Sequence, residues 1–123
     1  MMSLPLGVML GIVFLAGAIG ALIRHAAIVT RQPGPSQVRR RITYVNLVGA
    51  FFAGLLITLD NPLAIALTVG LFGALTTFST IAVWLADDIR SREPVAAVKV
   101  VLAHVLLGVP AVLAGFLAGQ IAL

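Results

Sequence analysis

The chain alternates between long apolar runs and short polar connections. A helix needs about 20 consecutive apolar residues to cross the hydrocarbon core of a bilayer. The apolar runs therefore predict four membrane-spanning helices, over about 4–29, 43–59, 63–86 and 95–122. Together these helices form a single four-helix transmembrane domain over residues 1–123, and the predicted fold class is an all-α membrane protein.

Breaker residues and charges mark the connections between these helices. The segment QPGPS, residues 32–36, is predicted to end the first helix, because Pro and Gly interrupt helical hydrogen bonding. Only Asp60, Asn61 and Pro62 separate the second helix from the third, so these two helices are predicted to be antiparallel neighbours. Residues 87–94 form a charged connection before the fourth helix.

Composition narrows the class of protein. Hydrophobic residues make up 61% of the chain and charged residues 10%, with a mean hydropathy of +1.16. Soluble domains carry about a quarter charged residues, so an ordinary soluble fold is excluded. The chain has no cysteine, which excludes disulfides and thiol chemistry. We find no nucleophile–base pair, metal-ligand cluster or phosphate loop in the sequence, and we expect no enzyme activity.

The distribution of positive charge predicts an orientation. All eight basic residues flank the first and third connections: Arg24, Arg31, Arg39, Arg40, Arg41, Arg90, Arg92 and Lys99. Short loops rich in Lys and Arg stay in the cytoplasm. We therefore expect these connections to be cytoplasmic and both termini to lie outside. Residues 39–41 are expected to contact anionic lipid headgroups rather than nucleic acid.

The third apolar run contains an unusual polar stretch. In GLFGALTTFSTI two glycines precede four closely spaced hydroxyl side chains, those of Thr76, Thr77, Ser79 and Thr80. One interpretation is that each hydroxyl bonds back to a carbonyl in the preceding helical turn. The alternative is a helix break near Gly73–Thr77, which is tolerated at membrane depth only where the backbone is buried in protein or lines a cavity. Carbonyls freed by a break suit a hard cation such as Na⁺, and hydroxyl donors suit an anion.

Two other polar side chains lie within apolar runs. Asn46 shares a helix face with Gly49 and Ala50, and its amide can either bond to a neighbouring helix or donate to an ion. His104 has no carboxylate at helical spacing, which favours a packing role over a ligand role. No carboxylate lies in the middle of a predicted span, which argues against a proton-coupled exporter.

Three segments carry a resemblance to a known family. The stretches GAIGALIRH, VNLVGAFFAG and GALTTFST, within about residues 17–84, resemble the CrcB/Fluc fluoride ion channels. The resemblance implies an antiparallel dimer of two four-helix subunits in a bacterial-type inner cell membrane. It also implies narrow paths through which cytoplasmic fluoride leaves passively down its gradient, which reduces fluoride toxicity.

The resemblance further implies roles for individual residues. The carbonyls of Gly73 and Thr76 would hold a central Na⁺ across the dimer axis, and Arg24 would lie near an aqueous vestibule. Asn46 would donate a hydrogen bond to fluoride, and Phe78 would present its ring edge to the ion. The remaining polar lining of the path would come from three hydroxyl side chains, those of Thr77, Ser79 and Thr80.

The chain also departs from the family pattern. Ile81 replaces the second pore phenylalanine, Ala50 replaces a serine, and residues 99–123 contain no Ser, Thr or Tyr. With all basic residues on one side, these departures favour a heterodimer with an oppositely oriented paralogous subunit, and a homodimer is the second choice. Two alternatives stay open: a four-span transporter of the small multidrug-resistance type, and a non-conducting accessory subunit.

Overall fold

The computed structural model describes residues 5–29 and 34–122, and this part of the chain contains helices and no strand. In chain order the elements are α1 (Leu6–Val29), α2 (Pro35–Leu56), α3 (Pro62–Leu67), a π-helical turn (Thr68–Phe72), α4 (Gly73–Leu75), α5 (Ser79–Arg90) and α6 (Pro94–Ala122). The all-α class predicted from the sequence is confirmed.

Helix α2 begins earlier than the sequence predicted. It starts at Pro35 rather than near residue 43, and it ends at Leu56 rather than near residue 59. Gly34 precedes it in an extended conformation, and Pro35 takes the first helical position, where its fixed φ is suitable and its missing N–H is not needed. The second half of the predicted breaker segment therefore starts a helix, whereas residues 31–33 lie outside the described residues.

The short turn between the second and third apolar runs is a helix cap. Asn61 accepts a hydrogen bond from the Ala64 N–H at 2.8 Å, and Pro62 follows in the first helical position. A side-chain cap of this kind satisfies one of the free N–H groups at a helix start. Asn61 and Pro62 thus cap and begin α3.

The third apolar run is interrupted where its hydroxyl residues lie. Helical structure continues through the π-helical turn to Leu75, stops over Thr76–Phe78 and resumes at Ser79. Thr76 has φ −78° and ψ 156°, which is extended backbone. The break overlaps the predicted interval Gly73–Thr77, although Gly73 itself is helical and the break extends to Phe78.

Glycines set the distance between α2 and α6. Gly54 lies against the backbone of Val112, and Gly115 lies against the backbone of Phe51. A Cβ added at either glycine would overlap a carbonyl oxygen of the other helix. Small residues allow this close contact between helices in a membrane protein. The two helices run in the same direction, because Gly115 meets Phe51 whereas Gly119, one turn later on α6, meets Thr58, about two turns after Phe51.

Helix α1 packs against the first half of the third apolar run. Gly20 lies against the backbone of Leu71, and Gly70 lies close to Val13, whose carbonyl oxygen would be 2.6 Å from an added Cβ. Gly7 and Gly11, near the start of α1, have open space where a side chain would be. The same sequence spacing of glycines therefore marks a packed contact in α6 and an unpacked face in α1.

The charged connections meet at one end of the bundle. Arg39 on α2 forms a bidentate ion pair with Asp88 on α5, with N–O distances of 3.0 and 2.7 Å. The Arg39 guanidinium also lies 5.4 Å from the centre of the Trp84 ring. Arg41 donates to the Ala27 carbonyl at 3.3 Å and so covers the end of α1. The end of α1, the start of α2 and the end of α5 are thereby held together.

A left-handed residue makes the turn between α5 and α6. Arg92 has φ 59°, and its N–H bonds to the Ile89 carbonyl at 3.1 Å, while the Glu93 N–H bonds to the Asp88 carbonyl at 2.8 Å. This pair of hydrogen bonds is the Schellman motif, in which the left-handed position usually holds glycine. The structure holds an arginine there instead.

Candidate ion-binding site at the helix break

The break exposes peptide groups that a continuous helix would pair internally. A helix end leaves its last carbonyls and the next helix leaves its first N–H groups without partners. Thr77, at the centre of the break, is only 8% exposed. Its peptide groups therefore need partners other than bulk water, because a buried unpaired backbone group costs about 1–3 kcal/mol.

Asn46 on α2 supplies the partners for Thr77. Its side-chain Nδ2 donates to the Thr77 carbonyl at 3.1 Å, and its Oδ1 accepts from the Thr77 N–H at 2.9 Å. An amide side chain is suited to this reciprocal contact because it carries both a donor and an acceptor. The interhelical hydrogen bond considered from the sequence is thus present, and the second N–H of the Asn46 amide remains available as a donor.

Gly49 lets α2 approach the break closely enough for this contact. It lies one turn after Asn46, and an added Cβ would be 2.5 Å from the Thr76 methyl carbon. Any larger residue would move α2 away from the break or rotate Thr76. The helix face of small residues predicted around Asn46 therefore allows α2 to pack closely on the broken segment.

Two carbonyls at the end of α4, those of Gly73 and Thr76, lack the N–H partners that a continuous helix would supply. The Thr76 carbonyl accepts a hydrogen bond from Arg24 on α1 at 3.3 Å. The Gly73 carbonyl loses its usual helical partner, because the Thr77 N–H is directed to Asn46. Positive charge at this position is favourable since the carbonyl end of a helix carries partial negative charge.

The four hydroxyls do not share one role. Only Thr76 bonds back to the preceding turn, with its Oγ1 donating to the Phe72 carbonyl at 2.9 Å. The Thr77 hydroxyl instead lies 3.0 Å from the Ser79 hydroxyl and 3.3 Å from the Thr80 hydroxyl. It also accepts from the Thr80 N–H at 3.5 Å, which covers the start of α5. These three hydroxyls form a connected cluster at the positive end of a helix.

An open cavity of about 530 Å³ lies beside the break, between α2 and α6. Asn46, Thr76, Thr77 and Phe78 line it on one side, and the Phe78 ring is 79% exposed. Its other walls are almost entirely apolar. The predicted residues Arg24, Gly73, Ser79 and Thr80 do not line this cavity, although Arg24 and the two hydroxyls bond to residues that do.

Two further residues of the cavity wall stand where the chain departs from the family pattern. Ile81, which stands at the second phenylalanine position of the family, is 7% exposed and forms part of the wall. His104 on α6 also lines the cavity, and its Nε2 atom is buried without a hydrogen-bond partner among the described residues. The family resemblance aligns His104, Gly108 and Val112 with a polar stripe on the fourth helix, and all three line the cavity.

The fold and the site together define a class of protein. Within the described ranges, three stretches are long and apolar enough to cross a membrane, namely Leu6–Val29, Pro62–Arg90 and Pro94–Ala122. In α2, three arginines precede the apolar part. The chain is a multi-pass helical membrane protein whose broken helix places neutral polar groups within an apolar bundle.

Comparison with known proteins shows the family. The sequence model described as "CrcB-like protein, Camphor Resistance (CrcB)" matches residues 11–116, and the chain belongs to this family. It is 31% identical over 107 residues to "Fluoride-specific ion channel FluC 1" of Parasynechococcus marenigrum (strain WH8102), covering 81% of this chain and 85% of that protein. Its identity to the protein of the same name from Synechococcus sp. (strain CC9902) is 33%, with the same coverage.

A further relative matches a shorter region more closely. "Fluoride-specific ion channel FluC 1" of Staphylococcus aureus (strain NCTC 8325 / PS 47) is 41% identical over 75 residues, which cover 55% of this chain and 60% of that protein. These relatives are named as ion channels and not as enzymes. The family resemblance drawn from the sequence is therefore confirmed, and the expectation that the protein is not an enzyme agrees with it.

Proposed function

We propose that this chain is a subunit of a fluoride-selective channel that lets cytoplasmic fluoride leave passively down its gradient. The observation that carries the proposal is the broken helix, whose polar groups are held by Asn46 and lie beside an open cavity. The names of the relatives support fluoride as the ion. None of the described residues that line the cavity is a carboxylate, the group that most often carries protons in coupled transporters.

The local chemistry of the break suits an anion. The start of α5 carries partial positive charge, which favours a negative ion. The second N–H of Asn46 and the positive edge of the exposed Phe78 ring add neutral donors beside it. Neutral groups bind an ion without holding it as tightly as a fixed charge does, which conduction requires.

The Na⁺ site is part of the same proposal. The Gly73 and Thr76 carbonyls are oxygen ligands of the type that a hard cation prefers, and both belong to the interrupted helix end. Two carbonyls are too few to surround an ion, so a complete site requires ligands from a second subunit. Arg24 already donates to the Thr76 carbonyl, and it would share that oxygen with Na⁺.

The distribution of charge supports a fixed orientation and a second subunit. Described basic residues on α2 and α5 lie at the end of the bundle held by the Arg39–Asp88 pair, which we assign to the cytoplasmic side. An antiparallel partner of opposite orientation then requires a chain whose basic residues lie at the opposite end, which is the proposed paralogue.

The orientation can be tested by labelling single cysteines. Because the chain has no cysteine, the variants Asp60→Cys and Ser91→Cys each carry one thiol and no other residue reacts. A membrane-impermeant thiol reagent applied outside cells should label the first and not the second.

Fluoride efflux from liposomes tests the function. Purified chain is reconstituted alone and with a candidate paralogue, and a fluoride electrode records efflux with chloride as the control ion. Fluoride efflux only with the paralogue is the expected result. Efflux from the chain alone would support the channel and overturn the heterodimer, whereas no fluoride efflux in either case would overturn the channel and leave an accessory or transport role.

A matched pair of variants ties the flux to the site. Phe78→Ala should lower fluoride efflux in the conducting assembly, because it removes the ring edge beside the cavity without removing a packing contact. Phe14→Ala is the control, since Phe14 on α1 is 75% exposed and does not line the cavity. Equal efflux in both variants would place the ion path elsewhere.

A further inference from the structure

The three consecutive arginines of α2 have different surroundings. Arg39 forms the ion pair with Asp88, and Arg41 donates to two carbonyls at the end of α1 at 3.3 Å. Arg40 is exposed and has no hydrogen-bond or ion-pair partner among the described residues. A guanidinium carries five N–H donors. Of the three arginines, Arg40 therefore keeps its full bonding capacity for a group outside the protein.

The chain offers no side-chain carboxylate to neutralise Arg40. It has four acidic residues, and all of them lie within the described ranges: Asp60, Asp87, Asp88 and Glu93. Asp88 pairs with Arg39, and no carboxylate of the described residues lies within ion-pair distance of Arg40. An anion that neutralises Arg40 is therefore expected from outside the chain.

Two neighbouring cavities meet at Arg40. The first has a volume of about 270 Å³ and is lined by four side chains that can donate hydrogen bonds: Gln37, Arg40, Arg41 and Tyr44. Phosphate oxygens accept hydrogen bonds from such groups, and arginine can match them with two parallel bonds. The second cavity, of about 240 Å³, shares Arg40 and Tyr44 and continues to Leu47 on α2 and Leu107 on α6. A donor-rich cavity thus adjoins one with apolar walls.

The polar and apolar parts follow one face of α2. Arg40, Tyr44 and Leu47 are four and three residues apart, which places them on the same side of the helix. At 1.5 Å per residue, Leu47 lies about 10 Å further along α2 than Arg40. Tyr44 is 66% exposed, and an amphipathic ring of this kind lies at the level of the lipid headgroups. A ligand with a charged end at Arg40 and an apolar end at Leu47 fits this arrangement.

We infer that these two cavities bind one anionic phospholipid, with its phosphate against Arg40 and Tyr44 and an acyl chain beside Leu47 and Leu107. The cytoplasmic leaflet is rich in anionic lipid, and this end of the bundle is the one assigned to the cytoplasmic side. The site is more specific than the headgroup contacts expected of residues 39–41 from the sequence, because two of those arginines bond within the protein. It does not depend on which ion the protein conducts.

Trp84 is a native reporter of this site. It is the one tryptophan of the chain, and its ring centre lies 5.4 Å from the guanidinium of Arg39, which lines the second cavity. Bromine atoms on a lipid acyl chain quench tryptophan fluorescence only at short range. The full chain is reconstituted in mixtures of phosphatidylcholine and brominated phosphatidylglycerol. The dependence of quenching on composition gives the affinity for phosphatidylglycerol relative to phosphatidylcholine.

The wild-type protein should prefer phosphatidylglycerol by about fivefold or more, because one arginine beside an anionic headgroup supplies an attraction of this size. Arg40→Gln should reduce the preference to less than about twofold. Arg40→Lys keeps the charge but loses the fork that matches a phosphate, so its preference should be intermediate. Neither variant removes a contact within the described part of the protein, since Arg40 is exposed and unpaired there.

Arg90→Gln is the matched control for charge. The Arg90 side chain is 81% exposed, lies at the same end of the bundle and lines neither of the two cavities. The variant removes the same charge, and it should keep the wild-type preference. Soluble glycerol 3-phosphate is the control for the acyl chain, because it carries the phosphate alone and should not displace the brominated lipid.

The outcomes separate a lipid site from other occupants. Equal affinity for the two lipids, or a preference that survives in Arg40→Gln, overturns the inference. Loss of the preference in Arg90→Gln as well would show general surface charge, and displacement by glycerol 3-phosphate would show a soluble anion, and either result overturns it. Loss of the preference when the paralogue is added would show that the second subunit covers the cavities, which also overturns it. Fluoride efflux is not measured here, so failure of the channel and failure of the lipid site are distinct results.

Discussion

Replacing Asn46 with alanine removes the contact that holds the helix break together. The change deletes both hydrogen bonds to the Thr77 peptide groups, at 3.1 and 2.9 Å. The methyl group of alanine can neither donate nor accept a hydrogen bond in their place. We therefore expect Asn46→Ala to affect the stability of the fold as well as conduction. This makes it a poor test of ion binding but a sharp test of how the break is maintained.

The size of the effect follows from the burial of Thr77. Each deleted hydrogen bond leaves one backbone group unpaired in a residue that is 8% exposed, and each such group costs about 1–3 kcal/mol. Because the neighbouring cavity is open and can admit water, we take the lower part of the summed range. The expected loss in the free energy of unfolding is about 2–4 kcal/mol.

Two measurements check this value. Reversible unfolding in mixed detergent micelles, followed by circular dichroism, gives the change in the free energy of unfolding. Amide hydrogen exchange at Thr77 reports the break itself, and a local loss of this size should accelerate exchange by about 30- to 900-fold. Thr43→Val is the control on the same helix, since the Thr43 hydroxyl bonds to the Arg39 carbonyl within α2 and its loss should cost less than about 0.5 kcal/mol.

Equal stability of Asn46→Ala and Thr43→Val, together with unchanged exchange at Thr77, would refute the reasoning. It would mean that the Thr77 peptide groups find other partners or water at no cost. A loss of stability without faster exchange at Thr77 would place the effect of Asn46 elsewhere in α2. Either result would require a different account of how the break is tolerated at membrane depth.

Three further substitutions test the packing and the turns. Gly115→Ala should lower the free energy of unfolding by more than about 2 kcal/mol, because its Cβ would overlap the Phe51 carbonyl and separate α2 from α6. Arg92→Gly should raise it by about 1 kcal/mol, because glycine has no penalty at φ 59°. Asp88→Asn should lower it by about 1–3 kcal/mol, because the half-buried Arg39 guanidinium loses its paired carboxylate. All three are measured by the same micelle unfolding assay.

Each of these substitutions has a matched control. Gly7→Ala adds a Cβ where nothing lies within 4 Å, and it should leave stability unchanged or slightly raised. Arg92→Ala removes the same charge as Arg92→Gly but keeps the left-handed strain, so only the glycine variant should gain stability. Asp87→Asn alters a carboxylate that is 59% exposed and 3.9 Å from Arg90, and it should change stability by less than about 0.5 kcal/mol. If a control variant changed the free energy of unfolding as much as its test variant does, the corresponding argument from packing, turn conformation or ion pairing would be contradicted.

The sequence by itself determined the features that depend on local order along the chain. The length of each apolar run predicted helices in nearly the right places. Asp60, Asn61 and Pro62 predicted a very short turn before α3, and the cap formed by Asn61 is a finding of the structure. Two glycines followed by a dense run of hydroxyls indicated a break as one of two interpretations, because helix propensity and competing side-chain hydrogen bonds act over a few residues. The start of α2 was missed since Pro35 breaks a preceding helix but also begins a new one.

The tertiary structure alone decided which groups meet. Asn46 and Thr77 are 31 residues apart, and Arg24 and Thr76 are 52 apart, so no local pattern could pair them. Helical periodicity states which face a residue occupies, but it does not state what lies opposite that face. For the same reason Gly115 and Gly119 contact another helix, whereas the glycines with the same spacing at the start of α1 have open space beside them. That His104 on α6 lines the same cavity as Asn46 and Thr77 became visible only in the tertiary structure.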